Sequence, residues 1–303
     1  MNKISVIGGI NVNVKSKPYV QVKPGGSNPG TLSLKLGGSG RNIAANLAKL
    51  GLDVSFITKA GKDFSAAAAR DELAGMGVDV SNIVMDENGN TPATMEVLNV
   101  VDDVEMAFGN SDILETADIK MFESAMDTLK SSSAVCMDAN LSAETLEYLT
   151  KELEGVTLFM DPAAVEKADR VSEIIGRFHT VLPNRAEAER MTGKTILSED
   201  QLMEAGQWFL DRGVERVFIK IGAGGVYYND KGRSGIAKPE KGITVIDNYG
   251  AGDAFSAAAL YGHINGMDIE ETVKFAMAAA AMNLETDETV NEKMSVEELK
   301  RRM

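Results

Sequence analysis

The chain of 303 residues carries a formal net charge of −14, with 44% hydrophobic and 25% charged residues. A chain of this length buries a sizeable core, as one large α/β domain or two small ones. The acidic balance leaves no basic run beyond Lys300-Arg301-Arg302 near the end, which excludes the cationic footprint that a nucleic-acid polymer or an anionic membrane surface needs.

The β-branched run at 4–7 predicts a strand that ends in Gly8-Gly9. The apolar stretch there is too short for a signal peptide, and no run approaches the roughly 18 apolar residues of a membrane span, so a cytoplasmic protein is expected. Residues 11–36 alternate and are rich in turn residues, and 91–108 read as two short strands around a turn at Val101-Asp102-Asp103. Between them, 40–50 reads as a helix with Ile43, Leu47 and Leu50 on one face, 54–58 as a strand and 64–76 as an alanine-rich helix. Strand and helix then alternate: strand 134–138, helix 142–153, strand 156–160, helix 169–177, strand 179–182, helices 185–192 and 199–212, strand 215–221. This order predicts a doubly wound, mostly parallel central sheet flanked by helices, in a single domain over 1–303. The β-rich segments, about 11–36 and 91–110, form either a small β lid or an edge hairpin. The single cysteine, Cys136, lies in an apolar run and reads as a buried thiol, and the two histidines, His179 and His263, are far apart in sequence and read as structural.

The motif richest in chemistry lies near the C-terminus. A β-branched strand at 243–246 leads into Asp247, a glycine turn follows at Gly250-Ala251-Gly252, and Asp253 then opens a helix faced with alanines. A helix that starts after such a turn aims free amides and the positive end of its dipole at one spot, where bare backbone allows a ligand close. Phosphoryl transfer needs that arrangement, since its transition state spreads charge over three oxygens, and an aspartate at the mouth can take the proton of an attacking hydroxyl. An ordinary helix start with an acidic first turn would read the same way. Other phosphate motifs fail: the first glycine of a P-loop ending in Gly193-Lys194-Thr195 would be Ala188, and Ile43 occupies the third small position of a dinucleotide fingerprint at Gly38-Ser39-Gly40.

Two further clusters carry weaker signals. Gly37, Gly38 and Gly40 leave bare backbone before a helix that holds Asn42, which reads as a polyol cradle or simply as a loop. Asn184 and Glu187 share a face at a helix start, which reads as a water-mediated Mg²⁺ site or as a cap with an acidic first turn.

In this order the three pieces resemble the ribokinase-like family of sugar kinases, also called the phosphofructokinase-B family. Its signatures are matched by Gly37-Gly38-Ser39-Gly40-Arg41-Asn42, by Asn184 to Glu187, and by Asp247-Asn248-Tyr249-Gly250-Ala251-Gly252-Asp253. The resemblance spans essentially the whole chain. It implies an ATP-dependent kinase acting on the hydroxyl of a sugar or nucleoside, with Asp253 as base, Gly250, Ala251 and Gly252 around the transferring group, and a β lid through which a homodimer can form. It further implies acceptor binding by Asn11, Asn13, Gly37, Gly38, Asn42 and Asn110. Nucleotide binding is implied at Asn184, Lys220, Gly222, Gly224, Gly225, Ala279 and Asn283. Mg²⁺ is expected at Asn184 and Glu187, and K⁺ at Asp247. Ser27–Gly30, Asp161–Lys167 and the segment around Arg41-Asn42 are similar to the pseudouridine kinase branch; ribose, fructose or adenosine kinases and a non-catalytic nucleoside sensor are the alternatives. Asn13 and Asn110 stand where that branch favours aspartate, and Asn248-Tyr249 replace the usual threonine pair.

Overall fold

The computed structural model describes residues 3–101, 103–110 and 113–303. Asp102, at the centre of the expected lid turn, lies outside the described residues. The first half of the chain runs β1 (Lys3–Ile7), β2 (Asn11–Pro18), β3 (Gly30–Gly37), α1 (Ser39–Lys49), β4 (Asp53–Gly61), α2 (Phe64–Gly75), β5 (Ile83–Asp86), β6 (Ala93–Leu98) and β7 (Val104–Asn110). Two short helices, α3 (Ile119–Glu123) and α4 (Met126–Lys130), lead to β8 (Ala134–Asp138), α5 (Ala143–Glu152), β9 (Thr157–Asp161), β10 (Thr180–Val181) and α6 (Arg185–Thr192). The remainder is α7 (Glu199–Asp211), β11 (Arg216–Lys220), β12 (Val226–Asn229), β13 (Ser234–Ala237), α8 (Ala251–Ile264), α9 (Ile269–Leu284) and α10 (Val296–Arg302).

Nine strands form the main sheet in the order β13-β12-β11-β10-β9-β8-β1-β4-β5. Pairing is parallel from β5 to β11, and only the hairpin edge of β12 and β13 is antiparallel. A parallel sheet covered on both faces needs apolar residues on both, and β8 accordingly reads as a run rather than an alternation, while β1 is interrupted by the buried Ser5, whose hydroxyl shares a hydrogen bond with that of Ser132 at 2.8 Å. Ile4 and Val6 face a layer that holds α1, α8 and α9, whereas Ile7, Val135 and Met137 face a layer built on α5 and α7. Cys136 is buried in the first layer, as its apolar run predicts. The doubly wound, mostly parallel architecture is the one expected.

The segments expected as a lid form their own four-stranded sheet, ordered β3-β2-β6-β7. Its two faces differ in character. Asn11, Asn13, Lys15 and Lys35 share one face with Thr94 and Glu96, and Leu32, Leu34, Val14, Met95 and Phe108 share the other, where Leu32 is 74% exposed.

Two expected elements are different in the structure. The segment 243–246 is irregular chain, not a strand. Apart from the Ile246 amide, which donates to the Leu284 carbonyl at 2.8 Å, no ladder receives it, and β-branched residues without a neighbouring strand cannot express their preference. The helix expected over 169–177 is a pair of 3₁₀ turns, Val165–Val171 and Ile175–Arg177. Ala168, Val171 and Ile174 are buried three residues apart, a spacing that a three-residue turn aligns on one side.

Helix starts follow the sequence where it supplies a cap. Asp63, Ser142, Asn184, Ser198 and Asp268 each accept a backbone amide of the first turn. Helices α1 and α8 instead begin at Gly38 and Gly250, both at positive φ (96° and 75°) and without a side-chain cap. Their first amides are not taken up by a capping side chain, and both starts lie at the carboxyl ends of the parallel strands, where ligands bind in open α/β sheets.

Candidate active site

The Gly250 turn is built from both of its sides. A side chain at Gly250 would overlap the Thr289 carbonyl, so the left-handed residue that starts α8 is also a point of close packing. Gly252 lies inside the helix with ordinary backbone. A Cβ there would meet only the Lys220 ammonium, at 3.7 Å, so this glycine leaves space open rather than relieving strain. Asp253, in the first turn of α8, points toward the start of α1. It accepts from Ser39 Oγ at 2.7 Å and from Asn42 Nδ2 at 2.8 Å. Asn42 cannot turn over, because its own Oδ1 accepts from the buried Arg41 guanidinium at 3.0 Å.

Behind Asp253 lies a small charged cluster at the strand ends. Asp161, the last residue of β9, accepts from Ser256 Oγ at 2.5 Å and from Lys220 Nζ at 2.9 Å. Burial and the nearby Asp161 raise the Asp253 carboxyl above its ordinary value, against the bonds from Asn42 and Ser39 and the charge of Lys220. Burial would lower the Lys220 ammonium, but Asp161, Glu187 and Asp253 outweigh it, so Lys220 stays charged. Glu187 is lifted to about 7, by burial first and by Asp161 and Asp253 next, with Lys220 opposing. Asp138, at the end of β8, is lifted by burial to about 6 although it accepts from the Gly9 amide at 2.7 Å.

Two cavities meet at the Gly250–Asp253 turn. One, of about 800 Å³, lies between the main sheet and the polar face of the small sheet; Asn11, Asn13, Gly38, Asn42, Gly250 and Asp253 border it. The other, of about 550 Å³, is bordered by Lys220, Gly222, Gly225, Ala251 and Gly252. Its far wall is apolar: Ile243 and Val245 of the irregular segment face Met277, Ala281 and Leu284 of α9.

Several expected site residues are placed elsewhere. Gly37 sits beneath the Asn13 amide, and Asn110 is on the exposed edge strand, where its Oδ1 accepts from the Ala93 amide at 2.8 Å. Gly224 packs against Ile221 and does not border the cavity of about 550 Å³. Ala279 and Asn283 point into the core, because the face of α9 that borders the cavity carries Met277, Ala280, Ala281 and Leu284. Asn283 instead donates to the Tyr249 carbonyl at 2.7 Å and so braces the turn. Asn184 and Glu187 form a reciprocal capping box, with Asn184 accepting the Glu187 amide at 2.9 Å and Glu187 accepting the Asn184 amide at 2.7 Å. Both readings of that motif therefore share the same two residues, and Glu187 still lies in the field of Lys220. Among the described residues no group of three or more His, Cys, Asp or Glu side chains could hold a metal ion. That donor set suits an ion reached through water and carried by a nucleotide's phosphates rather than an all-protein cage.

Sequence reasoning gave no role to Ser39, Asp161 or Tyr249, which the structure joins to Asp253, Lys220 and Asn283. Ser39 lies within the glycine cluster already singled out. Asp138 and Asp161 share a readable signal, an aspartate directly after an apolar run (134–137 and 158–160), which places a carboxylate at the carboxyl end of a parallel strand. His179 and His263, distant in sequence, meet edge to face at 4.5 Å between ring centroids, with Phe159 beside them.

Comparison with known proteins agrees with this geometry. The family described as pfkB family carbohydrate kinase matches residues 1–295. Pseudouridine kinase of Escherichia coli (strain K12) is 29% identical over 294 residues, which cover 97% of this chain and 94% of that protein. Ribokinase of Haemophilus influenzae is 29% identical over 285 residues, 93% of this chain and 92% of that protein. Among solved structures, Arabidopsis thaliana ribokinase complexed with ribose and ATP superposes with a TM-score of 0.86 at 22% identity and covers 99% of both chains.

Proposed function

The chain belongs to the pfkB family of carbohydrate kinases, and on that premise we propose that this sugar or nucleoside kinase transfers the terminal phosphoryl group of ATP to the primary hydroxyl of pseudouridine. One observation carries the reading: the Gly250–Asp253 turn is the wall shared by the two cavities, with Asp253 on the polar side and Gly252 on the side with the apolar far wall. The polar cavity is the acceptor site, and its volume of about 800 Å³ suits a nucleoside better than a free pentose. Asn11, Asn13 and Asn42 are proposed to meet ribose hydroxyls there. The other cavity takes ATP, with the adenine between the irregular segment and α9 and the phosphates toward Gly225, Gly252 and Lys220.

In this scheme Asp253 accepts the proton of the acceptor hydroxyl as that oxygen bonds to the γ-phosphorus. The bond from the γ-phosphorus to the bridging oxygen breaks, ADP leaves with the electron pair, and the proton passes on to water. The first amides of α8 stabilise the charge spread over the transferring group. Lys220, held in place by Asp161, adds a fixed positive charge beside it. Asn184 and Glu187 would hold the water shell of a Mg²⁺ ion, which would neutralise charge on the phosphates when bound. The small sheet acts as a lid over the acceptor, its exposed apolar face fits a second copy of the chain, and a cytoplasmic location accompanies that reading. Among the described residues no helix is long and apolar enough to cross a membrane.

The pseudouridine assignment rests on the likeness of several loops and on the pseudouridine kinase relative. It is tested by ADP release at saturating Mg-ATP with pseudouridine, uridine, ribose, fructose and adenosine. Pseudouridine should give the highest kcat/KM. A higher value for any free sugar would sink the acceptor assignment and leave the kinase standing.

A further inference from the structure

The small sheet reaches the catalytic turn through a lysine. Lys15 on β2 and Glu96 on β6 are direct partners in the parallel pairing and share the polar face. Both grip the residues that precede Gly250. Lys15 Nζ donates to Asp247 Oδ2 at 2.9 Å and stands 4.8 Å from the centroid of the Tyr249 ring. The Tyr249 hydroxyl donates to the Glu96 carboxylate. The Tyr249 amide donates to the other Asp247 oxygen, Oδ1, at 3.1 Å. Each oxygen of Asp247 thus has a donor, one from its own turn and one from the small sheet. A second lysine of that sheet, Lys35, pairs with Asp287 at 2.8 Å on the far side of a cavity of about 190 Å³.

Asp247 is the carboxylate at which the family resemblance implies a monovalent cation, yet it already has a partner of unit positive charge. That partner sits on a different sheet from the turn it stabilises. We propose that Lys15 supplies to Asp247 the positive charge that a monovalent cation would otherwise bring, so that seating of the small sheet, rather than K⁺, sets the Gly250–Asp253 turn. Lys15 is a positioning residue in this scheme, acting on Asp253 only through the turn. The proposal rests on the kinase reading of the same turn.

The test compares the full-length enzyme with Lys15→Met and Lys15→Arg in buffers whose cation is either K⁺ or tetramethylammonium. Two readouts are taken, kcat for ADP release and the thermal midpoint without substrates. For the wild type, exchanging the cations should change kcat by less than about twofold and leave the midpoint unmoved, since an ion with no site favours no state. Lys15→Met should lose on the order of tenfold in kcat without K⁺, the value of one charge-assisted hydrogen bond. K⁺ should then restore part of kcat and raise the midpoint of Lys15→Met, and Lys15→Arg should recover most of the loss. Strong K⁺ stimulation of the wild type with a raised midpoint would overturn the proposal. So would a Lys15→Met enzyme with normal kcat, or one whose defect and midpoint ignore K⁺. The midpoint needs no turnover, so a chain that released no ADP with any acceptor would fail the kinase reading while the cation claim was still decided.

Discussion

Replacing Asp253 with asparagine removes one proton acceptor and little else. The two bonds that hold the carboxylate come from Ser39 Oγ at 2.7 Å and Asn42 Nδ2 at 2.8 Å. An asparagine Oδ1 can keep the Asn42 bond, and its amide can donate to Ser39, whose hydroxyl can turn to accept. Fold and cavity shape should survive. Stability should rise slightly, because the buried carboxyl is pushed up and the neutral amide has no charged form to desolvate. Asp253 borders the polar cavity and not the nucleotide-side one, so ATP affinity should be nearly unchanged. Turnover should fall by about 10² to 10⁴, the usual contribution of a positioned base. The pH dependence gives a second reading. A base works when ionised, so with the Asp253 carboxyl raised by burial and by Asp161 the acid limb of kcat/KM should be displaced upward from where an ordinary aspartate would put it. Glu187, lifted to about 7, is the competing source of that limb. If Asp253 is the source, the residual activity of Asp253→Asn loses the limb. The assays are ADP release as a function of pH, from the ordinary carboxylate range upward past the Glu187 value of about 7, and calorimetric titration of ATP. Turnover within about tenfold of wild type, or loss of ATP binding equal to the loss of rate, would refute the assignment.

Gly252→Ala should fold normally, even gaining about 0.5–1 kcal/mol from helix propensity, while its KM for ATP rises because the new methyl enters the nucleotide-side cavity; unchanged KM would mean the phosphates lie elsewhere. Gly250→Ala should do the opposite and lower the thermal midpoint, since its Cβ would overlap the Thr289 carbonyl at positive φ. His263 is pulled from 6.5 to about 4, by burial first and by His179 and Arg216 next, so it contributes stability that is present above pH 6.5 and lost as pH falls through about 4. His263→Phe should therefore lose less stability than wild type over that interval, by on the order of 1 kcal/mol once solvent screening of the partly exposed ring is allowed for; parallel melting curves would contradict this.

What could be read in the chain beforehand divides along physical lines. Order and type of the main-sheet elements were legible because burial on both faces leaves mostly apolar runs, continuous over 134–137 in β8 and interrupted at Ser5 in β1, and because most helices carry their own caps, as Ser142 and Ser198 do. The Gly250–Asp253 turn was legible because two glycines around a single alanine, followed by an acid at a helix start, stand out in composition. Properties that depend on a partner were not. The run 243–246 has strand composition but no strand to join, so its apolar side chains face a ligand cavity instead. The phase of α9 decides between Ala279, which is buried, and Ala280, which borders the cavity, and one step along an alanine-rich helix leaves no mark in composition.

The same distinction explains why glycines near the two sites carry different duties. Gly38 and Gly40 look like a ligand cradle in sequence, yet a side chain at either would overlap the backbone of Gly8, Gly9 or Asn11, so both are needed to bring α1 against the end of β1. That close approach is what places Ser39 and Asn42 within reach of Asp253. The N-terminal cluster therefore reaches Asp253 through packing first: its residues hold the carboxylate from α1, as Lys15 holds Asp247 from the small sheet. Asp253 is thus a carboxylate whose position is fixed by two residues of α1, Ser39 and Asn42, which lie 214 and 211 residues away in sequence. Non-local fixation of this kind leaves the base little freedom to reorient. A group held in its reactive geometry before the acceptor arrives has already met part of the ordering cost of the transition state.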